Sequence, residues 1–162
     1  MTDHRSGRDR PLADQPETSE FVTLDRQRAL KAFDWGLLAM LGVGFAYGVL
    51  TYPVELEWGL IAVAIGGGWI IGRAINHGAW QGRPHPRNWS LRILAVVLAI
   101  VAWLVGMFVS YVFGQLLLEG ATQPLLERIS PAGFSEYMAQ VYAIHHGIAM
   151  AALAIMAWRT TR

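Results

Sequence analysis

Residues Tyr137 to Trp158 contain no Asp, Glu, Lys or Arg. At ~1.5 Å per residue this stretch is long enough to cross a bilayer core ~30 Å thick. A run of this kind reads as a transmembrane helix. Comparable runs occur three times upstream, at about 33–52, 57–76 and 91–118. The whole chain has the matching composition, with 54% hydrophobic and only 15% charged residues, where an average soluble domain carries about a quarter charged. The expected fold is an all-α membrane protein, a four-helix transmembrane bundle over 33–158. Residues 1–32 form a polar tail before it and 159–162 a basic tail after it.

Punctuation along the chain supports these boundaries. Met1 to Glu20 shows no apolar periodicity and is expected to be a disordered tail. Phe21, Leu24, Arg28 and Lys31 fall at helical spacing. They fit a juxtamembrane helix on the headgroups or a solvated extension of the first span. The tail is longer than the n-region of a signal peptide, so the first apolar run is expected to remain as a spanning helix. Pro53 ends that span, because proline lacks an N–H and restricts the residue before it. Pro84 and Pro86 exclude a helix from the second connection, and Asn88 or Ser90 can cap the third span. Pro124 to Ile129 reads as one or two interfacial turns. Ser130-Pro131 has the order of an N-cap followed by proline at the first helical position, with Ser135 as the competing cap.

Four spans put both termini on one side. Twelve of the thirteen Lys and Arg residues then fall on that side, and Arg128 alone on the other. The positive-inside rule makes that side cytoplasmic. This count assigns Arg73 to the cytoplasmic connection. The tryptophans fit as interfacial anchors and need no cofactor. A net charge of +1 offers nothing to nucleic acid, and the absence of cysteine excludes disulfides and thiolate metal sites. The cytoplasmic arginines set topology and can attract anionic membrane lipid.

Small residues recur four apart in every span: Gly44 and Gly48; Gly68 and Gly72; Gly106, Ser110 and Gly114; Ala143, Gly147 and Ala151. Such rows let backbones approach closely where lipid removes the hydrophobic drive for association. On the last span, Val141, Ile144, Ile148 and Ile155 share a face suited to lipid. Tyr142, His145 and His146 form a separate polar arc. A small row and a polar arc on one helix both call for burial. That points to a partner surface in the membrane, either other membrane subunits or a homo-oligomer.

His145 and His146 are the residues that look like chemistry. They sit near the middle of the run, where an ionisable group is costly and is a functional candidate by default. One reading is structural: neutral imidazoles hydrogen-bonded to a carbonyl, Tyr142, Tyr111 or Ser110. A second is a cofactor, with His145 or His146 as axial ligand to a haem or a chlorophyll. A third is a proton or metal pathway, although the spacing matches no metal motif. No nucleophile–base constellation is visible, so an enzyme is not expected.

Glu57-Trp58-Gly59 leads into the glycine-rich Ala64 to Ala74, then an Arg/Gly-containing loop and the Leu/Ala/Val-rich Leu94 to Val105. Over Glu55 to Gly106 the chain resembles small, uncharacterised multi-pass proteins of bacterial inner membranes. The resemblance implies that location and no activity. The function expected is that of a small non-catalytic accessory or scaffold subunit. The alternatives are a haem- or chlorophyll-binding subunit and a small transporter.

Overall fold

The computed structural model describes residues 26–51, 58–81, 88–118, 122, 124–141 and 144–161. The tail expected over Met1 to Glu20, the turn at Pro53 and the loop with Pro84 and Pro86 lie outside the described residues. All the elements are helices: α1 (Arg26–Thr51), α2 (Gly59–Trp80), α3 (Trp89–Leu116), α4 (Leu125–Arg128), α5 (Pro131–Val141) and α6 (Ile144–Thr160). By length and composition α1, α2 and α3 can each cross a membrane, and α5 with α6 adds a fourth span if that bent pair is counted as one.

Local sequence explains several ends. Asn88 caps α3, its Oδ1 accepting from the backbone N–H groups of Ser90 at 2.9 Å and Leu91 at 3.3 Å. Ser130 rather than Ser135 caps α5, its Oγ accepting from Gly133 N–H at 3.0 Å. Helix α2 runs four residues past the expected end at Asn76. Gln81 stops it by adopting a left-handed conformation (φ 51°, ψ 39°) and donating its N–H to the His77 carbonyl at 2.8 Å.

Where one continuous helix is expected over 137–158, the structure describes two, and Tyr142 and Ala143 between them lie outside the described residues. Helices α5 and α6 are separate, with axes 102° apart. The reason is competition between two docking surfaces. Phe134 of α5 packs edge-on to Phe108 of α3, and Tyr137 shares a 2.9 Å hydrogen bond with Ser110. The buried face of α6 is instead committed to α2 and α3. A straight helix could not meet both.

The four long helices form a ring. Helix α1 neighbours α2 and α3, and α6 neighbours the same two from the opposite corner. Small residues set the separations. A Cβ on Gly44 would stand 2.7 Å from the Ala102 carbonyl oxygen, and Gly48 lies against the Gly106 carbonyl. Gly68 and Gly72 of α2 meet the Leu153 carbonyl and the Thr160 hydroxyl of α6. Ser110 is buried and Gly114 half-buried.

On α6 the inward row is His146, Ala149, Leu153 and Ala157. It is not the expected row of Ala143, Gly147 and Ala151: Gly147 is half-buried, Ala151 is exposed, and Ala143 lies outside the described residues. The glycines of α2 supply the space at that contact, where the backbone of α6 comes close at Leu153 and Ala157. Ile144, Ile148 and Ile155 are exposed, as the lipid-facing stripe requires.

The chain's basic end carries the last turn of α6. Asn76 Nδ2 donates to the Thr160 carbonyl at 2.7 Å, and Arg92 Nε donates to the Thr161 carbonyl at 3.1 Å. The Arg92 guanidinium also lies 5.2 Å from the Trp158 ring centroid. These donors satisfy carbonyls that a helix C-terminus leaves open, and Arg92 complements its negative dipole end. Arg92→Leu is expected to cost about 1 kcal/mol. It should also speed amide exchange in the last turn of α6 while leaving α1 unchanged; equal exchange in both proteins would show that the contact holds nothing.

Candidate functional site

Apart from Thr161, the buried polar side chains among the described residues gather at the end of the bundle where Arg128 is the one described cation. Tyr47 lies one turn before the end of α1, Ser110 and Tyr111 in the last two turns of α3, Tyr137 on α5, and His145 and His146 in the first turn of α6. Tyr47, Ser110, Tyr111 and His146 are buried, while Tyr137 and His145 are half-buried. The histidine pair therefore stands in the first turn of α6, next to the junction with α5.

The Tyr47 hydroxyl and His146 Nδ1 are 3.2 Å apart. Helices α1 and α6 occupy opposite corners of the ring, so this bond crosses the bundle. Room for the phenol comes from Gly106, where a Cβ would stand 2.8 Å from Tyr47 Cδ1. If the tyrosine hydroxyl donates, Nδ1 is the acceptor and a neutral His146 carries its proton on Nε2. The His145 ring lies 4.4 Å from that of His146, and the Tyr47 ring 6.5 Å from it in an edge arrangement.

A second set of bonds ties the loop before α5 to α3. The Tyr111 hydroxyl donates to the Arg128 carbonyl at 3.1 Å and accepts from Ser130 N–H at 3.4 Å. Arg128 in turn donates to the Gln115 carbonyl. With the Ser110–Tyr137 bond, these contacts hold α5 over the end of α3.

The partners expected for the histidines are a backbone carbonyl, Tyr142, Tyr111 or Ser110. The structure gives His146 to Tyr47, while Ser110 and Tyr111 serve α5 and its loop; Tyr142 lies outside the described residues. A signal for Tyr47 was present. A phenol between Gly44 and Gly48, on the close-packing face of α1, needs a polar partner once buried.

His145 and His146, the candidate axial ligands to a tetrapyrrole, stand together in the first turn of α6. His77 lies at the other end of the bundle against Trp35, with ring centroids 5.1 Å apart. Among the described residues no group of three His, Cys, Asp or Glu could hold a metal ion.

Arg73 is helical, inside the span expected at about 57–76, and because α2 continues to Trp80 it stands seven residues from that end. It is exposed, with its guanidinium 5.4 Å from the Trp69 ring centroid. No family model, curated protein or solved structure matches this chain.

Proposed function

We propose that this chain is a small, non-catalytic integral membrane subunit of the bacterial inner membrane, with its basic end in the cytoplasm. It packs against partner subunits and helps hold them together. The observation that carries this reading is the Tyr47–His146 bond across the bundle. The side chain with the best claim to chemistry links two helices that otherwise stand at opposite corners. The other buried polar groups near it, Ser110 and Tyr111, are likewise engaged with α5 and its approach. Orientation rests on the distribution of Lys and Arg.

The cofactor reading keeps His145 or His146 as axial ligand to a haem or a chlorophyll. A macrocycle at His146 would have to share that side chain's surroundings with the Tyr47 and His145 rings. The transporter reading needs ionisable groups at successive depths. The described carboxylates, Asp34, Glu127 and Glu136, stand towards the ends of the bundle.

Assembly in native membranes tests the proposal. Gently solubilised membranes are expected to carry the full chain in a discrete complex well above its 17.9 kDa mass plus bound detergent. Deleting the chain should lower the abundance of the other components. A detergent-solubilised monomer whose loss leaves every other membrane complex intact would overturn it.

A further inference from the structure

We propose that the exposed face of α2 docks a membrane-spanning helix of a partner protein that sets a carboxylate against Arg73. The proposal builds on the accessory-subunit reading and names its contact surface.

Arg73 differs from the other described cations. Arg26, Arg28 and Lys31 lie in the first two turns of α1, Arg92 in the first turn of α3, Arg159 in the last turn of α6, and Arg128 ends α4 with its guanidinium donating to the Gln115 carbonyl. Arg73 lies about two turns inside α2, ~10 Å from Trp80 along the axis at ~1.5 Å per residue. Its helix runs towards the basic end. Side chains lean towards the N-terminus of their own helix. The lean therefore carries Arg73 away from the basic end, and its guanidinium rests over Trp69, one turn earlier. Arg28 and Lys31, on a helix of opposite direction, lean towards the basic end and its headgroups. Snorkelling thus relieves their charge but works against Arg73. Among the described residues the Arg73 charge meets an aromatic ring and no carboxylate.

The same face offers room for a second helix. Gly66, two turns before Arg73, is exposed, and a Cβ built on it meets nothing within 4 Å. Ala62, one turn further on, is exposed as well. A helix lying close at Ala62 and Gly66 can bring a carboxylate to the depth of Arg73. A phospholipid phosphate belongs at headgroup depth, from which Arg73 leans away. A second copy of this chain is a poor donor: Asp34 stands nearer the basic end than Arg73, because α1 and α2 pair Ala32 with Gly78 and Gly36 with Ile75.

The test uses the full chain, donor-labelled, in phosphatidylcholine vesicles. The probe is an acceptor-labelled Leu/Ala spanning peptide with one Glu at the depth of Arg73, oriented by lysines at one end. Energy transfer is expected to show association about tenfold tighter than for the same peptide with Leu in place of Glu. Arg73→Leu should abolish the difference, Arg73→Lys should retain most of it, and Gly66→Leu should weaken association while circular dichroism shows the bundle folded. Equal binding of the Glu and Leu peptides, or a Glu preference that survives Arg73→Leu, overturns the proposal. So does retention of phosphatidylglycerol, or self-association of labelled copies, that depends on Arg73 while the peptide shows no preference. A failed peptide test with an intact native complex removes this surface and leaves the accessory role standing.

Discussion

Gly68→Val is expected to break the contact between α2 and α6, whereas Gly66→Val, two positions away, is expected to be nearly silent for folding. Both belong to the run Gly66-Gly67-Gly68. A Cβ at position 68 meets the Leu153 carbonyl, stands 2.9 Å from Met156 Cβ and 3.1 Å from Ala157 N. Two of those three atoms are backbone, so relief requires α6 to move as a body. Overpacking typically costs about 1–3 kcal/mol, and a branched side chain against backbone belongs at or beyond the top of that range. Position 66 is open, and Gly66→Val should stay within about 0.5 kcal/mol of the parent. Gly67→Val falls between them, because its Cβ would stand 2.5 Å from Val43 Cγ1, a side-chain atom. Unfolding in mixed micelles, followed by tryptophan fluorescence, would rank the three. Equal midpoints for Gly66→Val and Gly68→Val would mean that α2 does not present this face to α6.

Tyr47→Ala should be comparably damaging for the opposite reason. The ring is fully buried and packed against Gly106. Truncating a buried aromatic costs about 3–5 kcal/mol through lost contacts and the cavity left behind. It also removes one hydrogen-bonding partner of a buried His146, at 2% exposure. The hydrogen bond can be isolated with Tyr47→Phe, His146→Leu and the double variant. Interhelical polar pairs in membrane proteins couple by about 0.6 kcal/mol on average and up to about 1.7. This one is expected in the upper half, because it joins opposite corners of the ring. A coupling of zero would mean that the two side chains do not bond in the folded protein.

Much of the bundle could be read from residue types. Spanning helices are announced by uncharged apolar runs, and Asn88 and Ser130-Pro131 mark helix starts by capping chemistry. The bend between α5 and α6 was not legible. Tyr137 to Trp158 is uniformly uncharged, and nothing in its composition separates residues that dock on α3 from residues that dock on α2. That choice is made by Phe108, Ser110 and Tyr111, more than twenty residues upstream. The place of His145 and His146 in their helix follows from the same bend: they are central in a helix that starts at Tyr137 and lie in the first turn of one that starts at Ile144. The inward row of α6 depended on its neighbour, since the glycines that make room for the contact belong to α2. The place of Arg73 in α2 followed from a boundary, because a helix ending at Asn76 leaves it three residues from the end and one ending at Trp80 leaves it seven.

In the proposed role His146 serves the bundle rather than a ligand. The most direct measurement is the visible absorption spectrum of the full chain, purified gently from cells that make haem and chlorophyll, alongside the thermal midpoint of His146→Ala. The expected result is a colourless protein whose His146→Ala variant unfolds at lower temperature. A Soret or chlorophyll band that disappears in His145→Ala or His146→Ala would contradict it.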